Sequence, residues 1–176
     1  MTDQKRTATA TIIKKIHTAQ NLDELFVEIK HELANLFDVE QLTLYAIDRE
    51  TRELYAQYLL ESLHGVQEIR VPINESSVSG YCARYGKILN IADAYNSAEL
   101  AAIHPRLSFD RSWDTRSGFH TRQMLAVPIL VEHKYLMGVL LLLNKRNGEH
   151  FTPEEEGFAM DIAEAFGLAL RGISRN

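Results

Sequence analysis

The sequence predicts an α+β domain whose helices gather on one face of an antiparallel sheet of about six strands. Three observations carry this. Segments with helical period open and close the chain, strand-like segments fill its middle, and most connections between those strands are too short for parallel crossovers. At 176 residues, 45 % hydrophobic and 24 % charged, the chain suits one domain with a core of its own.

The elements follow in order. Ile12, Ile13 and Ile16 share one side of a first helix. Leu22, Leu25, Phe26, Ile29, Leu33, Leu36 and Phe37 keep the 3.6-residue period of a second. Asn21 is its N-cap, and Glu24 three residues on completes an approximate capping box. From Gln41 the period changes to two: Leu42, Leu44 and Ala46 alternate with Thr43, Tyr45 and Ile47. After the polar turn Asp48–Glu53 come strands at Leu54–Leu60 and, past a break at Gly65, at Val66–Ile73. Pro72 donates no ladder hydrogen bond, so it belongs at a sheet edge or a strand end. Short turns make these three strands an antiparallel meander.

A loop at Asn74–Ser79 leads to a short helix, Val78–Tyr85, stopped by Gly86. A short strand at Ile88–Ile91 follows. The long polar stretch Ala92–Arg122 then has helical turns only at Ser97–Ile103. It is the one segment free to cover the second face of the sheet, and a stretch of that length in a compact domain often serves as a binding lid. Gln123–Val131 and Tyr135–Leu143 form a hairpin turning at His133–Lys134, the latter strand central and buried. The last helix begins with Thr152 as N-cap, Pro153 at its first position and Glu155 closing a capping box. Phe158, Ile162, Phe166, Ala169 and Ile173 line one side, widened by Ala159, Ala163 and Leu170. That width suits burial against the sheet and against a second copy of the same helix.

Composition narrows the function. A net charge of −5 argues against nucleic-acid binding. The strongest apolar run, Leu136–Leu143, is far shorter than the roughly 20 residues that span a bilayer. The N-terminus lacks the apolar core of a signal peptide, and a single cysteine, Cys82, excludes a disulfide framework and any Cys-rich zinc site. A cytoplasmic protein fits. No two histidines are four residues apart, so no zinc helix is written here, and no metal site is expected. Gly80 and Gly86–Lys87 have the wrong spacing for a phosphate loop. Cys82 has no histidine near it in sequence, which favours an inert thiol. Asp110–Arg122 concentrates hydroxyls, carboxylates, arginines, Trp113 and Phe119 around Gly118. This composition can bind a polar ligand; it equally describes a solvated loop whose aromatic residues plug the sheet.

Three stretches resemble a GAF domain of the subgroup found in cyclic-nucleotide phosphodiesterases and related adenylyl cyclases. The first is Ser79–Ile91 with Ala92–Tyr95, similar to the family's Gly-x-x-Gly-type helix and Leu-Asn-Ile-x-Asp-Ala-Tyr segment. The second is Ser117–Arg122 running into Val127–Pro128–Ile129, and the third is Asn144–Lys145 with Phe151 and Glu155–Glu156. The resemblance implies a GAF domain over 21–172, a helix at 1–20 acting in dimerisation or as a linker, and a tail or linker at 173–176. It implies that Thr43 faces the base of a nucleotide and that Val78 and Ser79 offer backbone groups, with phosphate at the start of the short helix. It also implies that Asp114, Ser117 and Thr121 line the pocket and that Lys145 pairs with Glu155 behind it. Leu141 stands where some nucleotide-binding members carry a polar or acidic residue. The function so implied is non-catalytic: a sensory domain for cyclic AMP or cyclic GMP that signals through dimerising terminal helices to an attached effector in a longer regulator. The alternative is a ligand-free module acting only in homodimerisation or partner docking. The family's free methionine sulfoxide reductases need cooperating cysteines, and Cys82 stands alone.

Overall fold

The computed structural model describes residues 2–59 and 66–174. Two helices, α1 (Thr2–Thr18) and α2 (Leu22–Phe37), precede the meander β1 (Val39–Asp48), β2 (Glu53–Leu59) and β3 (Val66–Pro72). Then come α3 (Val78–Tyr85), β4 (Leu89–Ile91), α4 (Ser97–Ile103) and α5 (Ser112–Ser117). The hairpin β5 (Met124–Val131) and β6 (Tyr135–Lys145) leads to α6 (Pro153–Ser174). The six strands form one sheet in the order β3-β2-β1-β6-β5-β4, and every neighbouring pair is antiparallel. The α+β class and the strand count are as expected. Leu60 and the break at Gly65 lie outside the described residues.

Local chemistry explains the boundaries. The Asn21 side chain accepts the Glu24 amide at 3.2 Å, and Asp38 closes α2 in the left-handed region at φ 52°. At α6 the capping box is reciprocal: Glu155 N–H donates to Thr152 Oγ1 at 3.1 Å and Thr152 N–H to Glu155 Oε2 at 2.9 Å. Ser77 caps α3, and Gly86 ends it at φ 62°. A Cβ at Gly80 would lie 2.4 Å from the Pro72 carbonyl, so only glycine lets α3 pack this closely on the end of β3. Pro72 is the last residue of an edge strand, which meets both expectations for it.

The sheet divides two cores by its period of two. Leu140 and Leu142 face the helices with Leu125, Ile129, Ile162 and Phe166. Val139 and Leu141 face the other way, packed with Leu54 and Ile91 of the sheet, Cys82 of α3 and Leu100 of α4. Three expectations need correction. The wide apolar side of α6 is not left for a second copy: α1 of the same chain covers part of it, and Ala163 and Phe166 are 1 % and 0 % exposed. The stretch before Arg122 holds a further helix, α5. β6 runs two residues further than Leu143, carrying Asn144 and Lys145 into the interior. No helix among the described residues is long and apolar enough to cross a membrane.

Candidate ligand-binding site

The face of the sheet opposite α1, α2 and α6 is covered by α3, α4, α5 and their connections, which together form a lid. Its parts are tied down locally. Ser108 N–H donates to the Ser76 carbonyl at 3.2 Å, Arg106 pairs with Glu75 at 2.8 Å, and the Glu99 carboxylate accepts the Ala92 and Asp93 amides.

Asp114 is the centre of the lid. It lies on α5 and is buried. Its Oδ2 accepts from the Tyr95 hydroxyl at 2.7 Å and from the Thr121 amide at 2.8 Å, and its Oδ1 accepts the Thr121 hydroxyl at 2.8 Å. Three donors on one buried carboxylate join α5 to the exit of β4 and to the approach to β5. The Asp114 carboxylate in turn holds the Tyr95 hydroxyl above its ordinary pKa. The Tyr95 ring stacks on His120, centroids 4.6 Å apart, and the Arg111 guanidinium lies 4.4 Å from its centroid. Asp114 and Thr121 are thus brought into direct contact. Ser117, half-buried at the end of α5, accepts the Phe119 amide at 3.2 Å.

The remaining expected site residues are not in that node. Thr43 is half-buried on β1, opposite Leu141 in the register, on the lid side of the sheet. Val78 and Ser79 are buried in the first turn of α3, where Ser77 takes the Gly80 amide. Sequence reasoning assigned no role to Tyr95 or Ser77, nor to Tyr45, which lies on the lid side two residues beyond Thr43. That period-two relation was the available signal for Tyr45. The Cys82 thiol is fully buried, and burial pushes its pKa well above the ordinary value, the reverse of what a nucleophile needs. No three metal-binding side chains cluster among the described residues.

Behind the lid, Asn144 and Lys145 at the end of β6 face two ways. Asn144, at φ 59°, accepts the Arg122 amide at 2.6 Å and donates to the His120 carbonyl at 2.8 Å and to Glu40 at 2.9 Å. Lys145 donates to the Phe37 carbonyl at the end of α2 and to Glu155 on α6. The implied Lys145–Glu155 pair therefore exists, and the same carboxylate that forms it caps α6. Lys5 of α1 also approaches Glu155, at 3.8 Å. Two clefts, of about 540 and 430 Å³, lie elsewhere, at the end of the α1–α6 seam and at the α1–α2 corner.

The family model for the GAF domain matches residues 21–170. A probable 3′,5′-cyclic phosphodiesterase, pde-5, of Caenorhabditis elegans is 25 % identical over 164 residues, covering 88 % of this chain and 21 % of the worm protein. A dual 3′,5′-cyclic-AMP and -GMP phosphodiesterase 11 of Drosophila melanogaster is 28 % identical over 112 residues, 64 % of this chain and 7 % of its own length. The chain thus spans about a fifth of the first of these relatives and less of the second. Among solved structures, the GAF domain of a Coxiella burnetii phosphoenolpyruvate-protein phosphotransferase superposes with a TM-score of 0.75 at 19 % identity, covering 97 % of this chain and 95 % of that one. A free methionine-R-sulfoxide reductase of Neisseria meningitidis superposes at 0.71 with 15 % identity, covering 97 % of this chain and 90 % of that one. Structural likeness at such identities speaks for the fold alone.

Proposed function

The chain belongs to the GAF family, and from that premise we propose that it is a regulatory sensory domain that binds a cyclic nucleotide, cyclic AMP or cyclic GMP, beneath the α3–α5 lid. The observation that carries this reading is the Asp114 node. A buried carboxylate holds together the three segments that must part and close around a ligand, and it does so with hydroxyls and amides that a polar ligand can rearrange. The naming of sequence relatives as cyclic-nucleotide phosphodiesterases supports the choice of ligand. Binding would act by population shift. A ligand that favours one arrangement of residues 114–122 biases Asn144, and with it Lys145, Glu155 and the ends of α2 and α6. The signal leaves through α1 and α6, which pair with a second copy and lead to an effector. The domain works in the cytoplasm and catalyses nothing itself: Cys82, the only cysteine, is buried and held protonated.

The test is a thermal-shift titration against cyclic AMP, cyclic GMP, a cyclic dinucleotide and plain mononucleotides. A ligand binding only the folded state adds roughly 2.7 kcal/mol at 100 times its Kd. A saturable shift with one cyclic nucleotide, weakened in Thr43→Val, is the expected result. Thr121→Ala is a poorer control, because it also breaks the Asp114 node. No shift with any of these compounds rejects the cyclic-nucleotide sensor. One observation favours a second reading, a ligand-free module for dimerisation or docking: Asp114 and Thr121 satisfy each other's hydrogen-bonding groups.

A further inference from the structure

We propose that the Tyr45 hydroxyl is a ligand-recognising group of the lid-side pocket, donating a hydrogen bond to an acceptor atom of the bound nucleotide. The inference rests on the sensor reading above and adds to it a residue that neither composition nor family resemblance marked.

Three observations converge on Tyr45. First, it is only 5 % exposed and sits in the lid-side core, yet its hydroxyl has no hydrogen-bond partner among the described residues. Burial alone raises its pKa, to about 12, so the group stays a neutral donor across the physiological range. A tyrosine carried this far into a core usually places its hydroxyl against a partner. Second, no fully sealed side-chain polar atom among the described residues lacks a partner. The Tyr45 oxygen is therefore not completely sealed. Third, the sheet parts at this residue. β1 pairs with β2 only from Ala46 to Asp48, whereas β2 continues against β3 as far as Leu59. Among the described residues, the edge of β1 from Leu42 to Tyr45 that would face Ala56–Leu59 of β2 carries no strand ladder. Thr43, on the same side of the sheet, adds a second hydroxyl without a partner. Two unpartnered hydroxyls at a split between strands form a polar recess in an otherwise apolar floor of Leu54, Ala56, Val139 and Leu141. Such a recess suits a ligand with hydrogen-bonding edges on a flat apolar body, as a heterocyclic base has.

The test is Tyr45→Phe, which removes one oxygen and keeps the ring. Isothermal titration with cyclic AMP and cyclic GMP is combined with thermal unfolding of the ligand-free protein. The expected result is roughly tenfold weaker binding of whichever nucleotide the wild type binds, with ligand-free melting unchanged or slightly raised, since no internal hydrogen bond is lost. Unchanged affinity in a wild type that binds would overturn the inference and leave the sensor reading standing. A ligand-free melting point several degrees lower would overturn it too, by showing that the hydroxyl has a structural partner. A wild type that binds neither nucleotide rejects the sensor reading and this inference together.

Discussion

Asp114 accepts three hydrogen bonds with two oxygens, two from the buried Thr121 and one from the half-buried Tyr95. Asp114→Asn replaces one accepting oxygen by an amide that donates, so at least one of the Tyr95 and Thr121 donors loses its acceptor. Leaving such a group unsatisfied costs about 1–3 kcal/mol. Urea unfolding of Asp114→Asn should show an unfolding free energy lowered by that amount, with Tyr95→Phe losing about 1 kcal/mol, the ordinary worth of one hydrogen bond. Equal midpoints in the three proteins would remove Asp114 from its place as the pin of the lid. At this scale the sequence was legible in part. Asp114, Ser117 and Thr121 stood out from the motif, but their mutual bonding did not. Thr121 reaches back seven residues to Asp114 only because α5 and Gly118, at φ 74°, fold that stretch over, and α5 has no side-chain cap at Arg111 to announce it.

Lys145 and Glu155 bind β6 to α6 with side chains 4 % and 6 % exposed. Removing Lys145 leaves the buried Glu155 with only the more distant Lys5, at 3.8 Å, as a countercharge. Lys145→Met should therefore destabilise the domain by about 3–5 kcal/mol, and adding Glu155→Leu should recover much of that, less the value of the lost cap. Chemical denaturation of the two variants measures this, and a double variant no more stable than the single one would mean that the capping role of Glu155 outweighs its ion pair. Elements with strong termini were the legible ones: α2, α3 and α6 begin and end where Asn21, Gly86 and Thr152–Pro153 place them. Polarity hid the end of β6. Asn144 and Lys145 are polar and fell outside the expected strand, yet both are buried because their hydrogen-bonding groups meet partners from three other segments. The apolar width of α6 was read correctly as burial against the sheet, but α1 as its further neighbour was not foreseen, since periodicity shows that a face is covered and not by what.

For the molecule as a whole, we place the proposed self-association on the face formed by α1 and α6. Lys14 on α1 and Glu164 on α6 are exposed and have no ion-pair partner among the described residues, whereas Lys5, Lys15 and Arg171 on the same helices are paired within the chain. The helices run in the same direction. Lys5 approaches Glu155 at one end, and Ile16 lines the cleft of about 540 Å³ with Leu168 and Ala169 at the other. Lys14 is thus level with Glu164. A two-fold axis along the helices would bring Lys14 of one copy to Glu164 of the next and the half-exposed Leu168 to the partner's cleft. Sedimentation of the wild type should show a dimer. Lys14→Glu or Glu164→Lys should each weaken it by roughly tenfold, about 1.4 kcal/mol, and the double reversal should restore it. A monomer at every concentration rejects the dimer, while a dimer indifferent to all three changes places its contact on another face.

The common direction of α1 and α6 also has a mechanical consequence. α6 has 22 residues, a length of roughly 33 Å at 1.5 Å per residue. The polypeptide enters the pair beside the start of α6 and leaves at its far end. Tension applied between Thr2 and Ser174 would not peel one helix from the other turn by turn. It would load the seam in shear, drawing on the contacts of Ile12, Ile16, Ala159, Ile162 and Phe166 with the core at once. Under such a load the domain would act as a stiff link, with strain passing along its length.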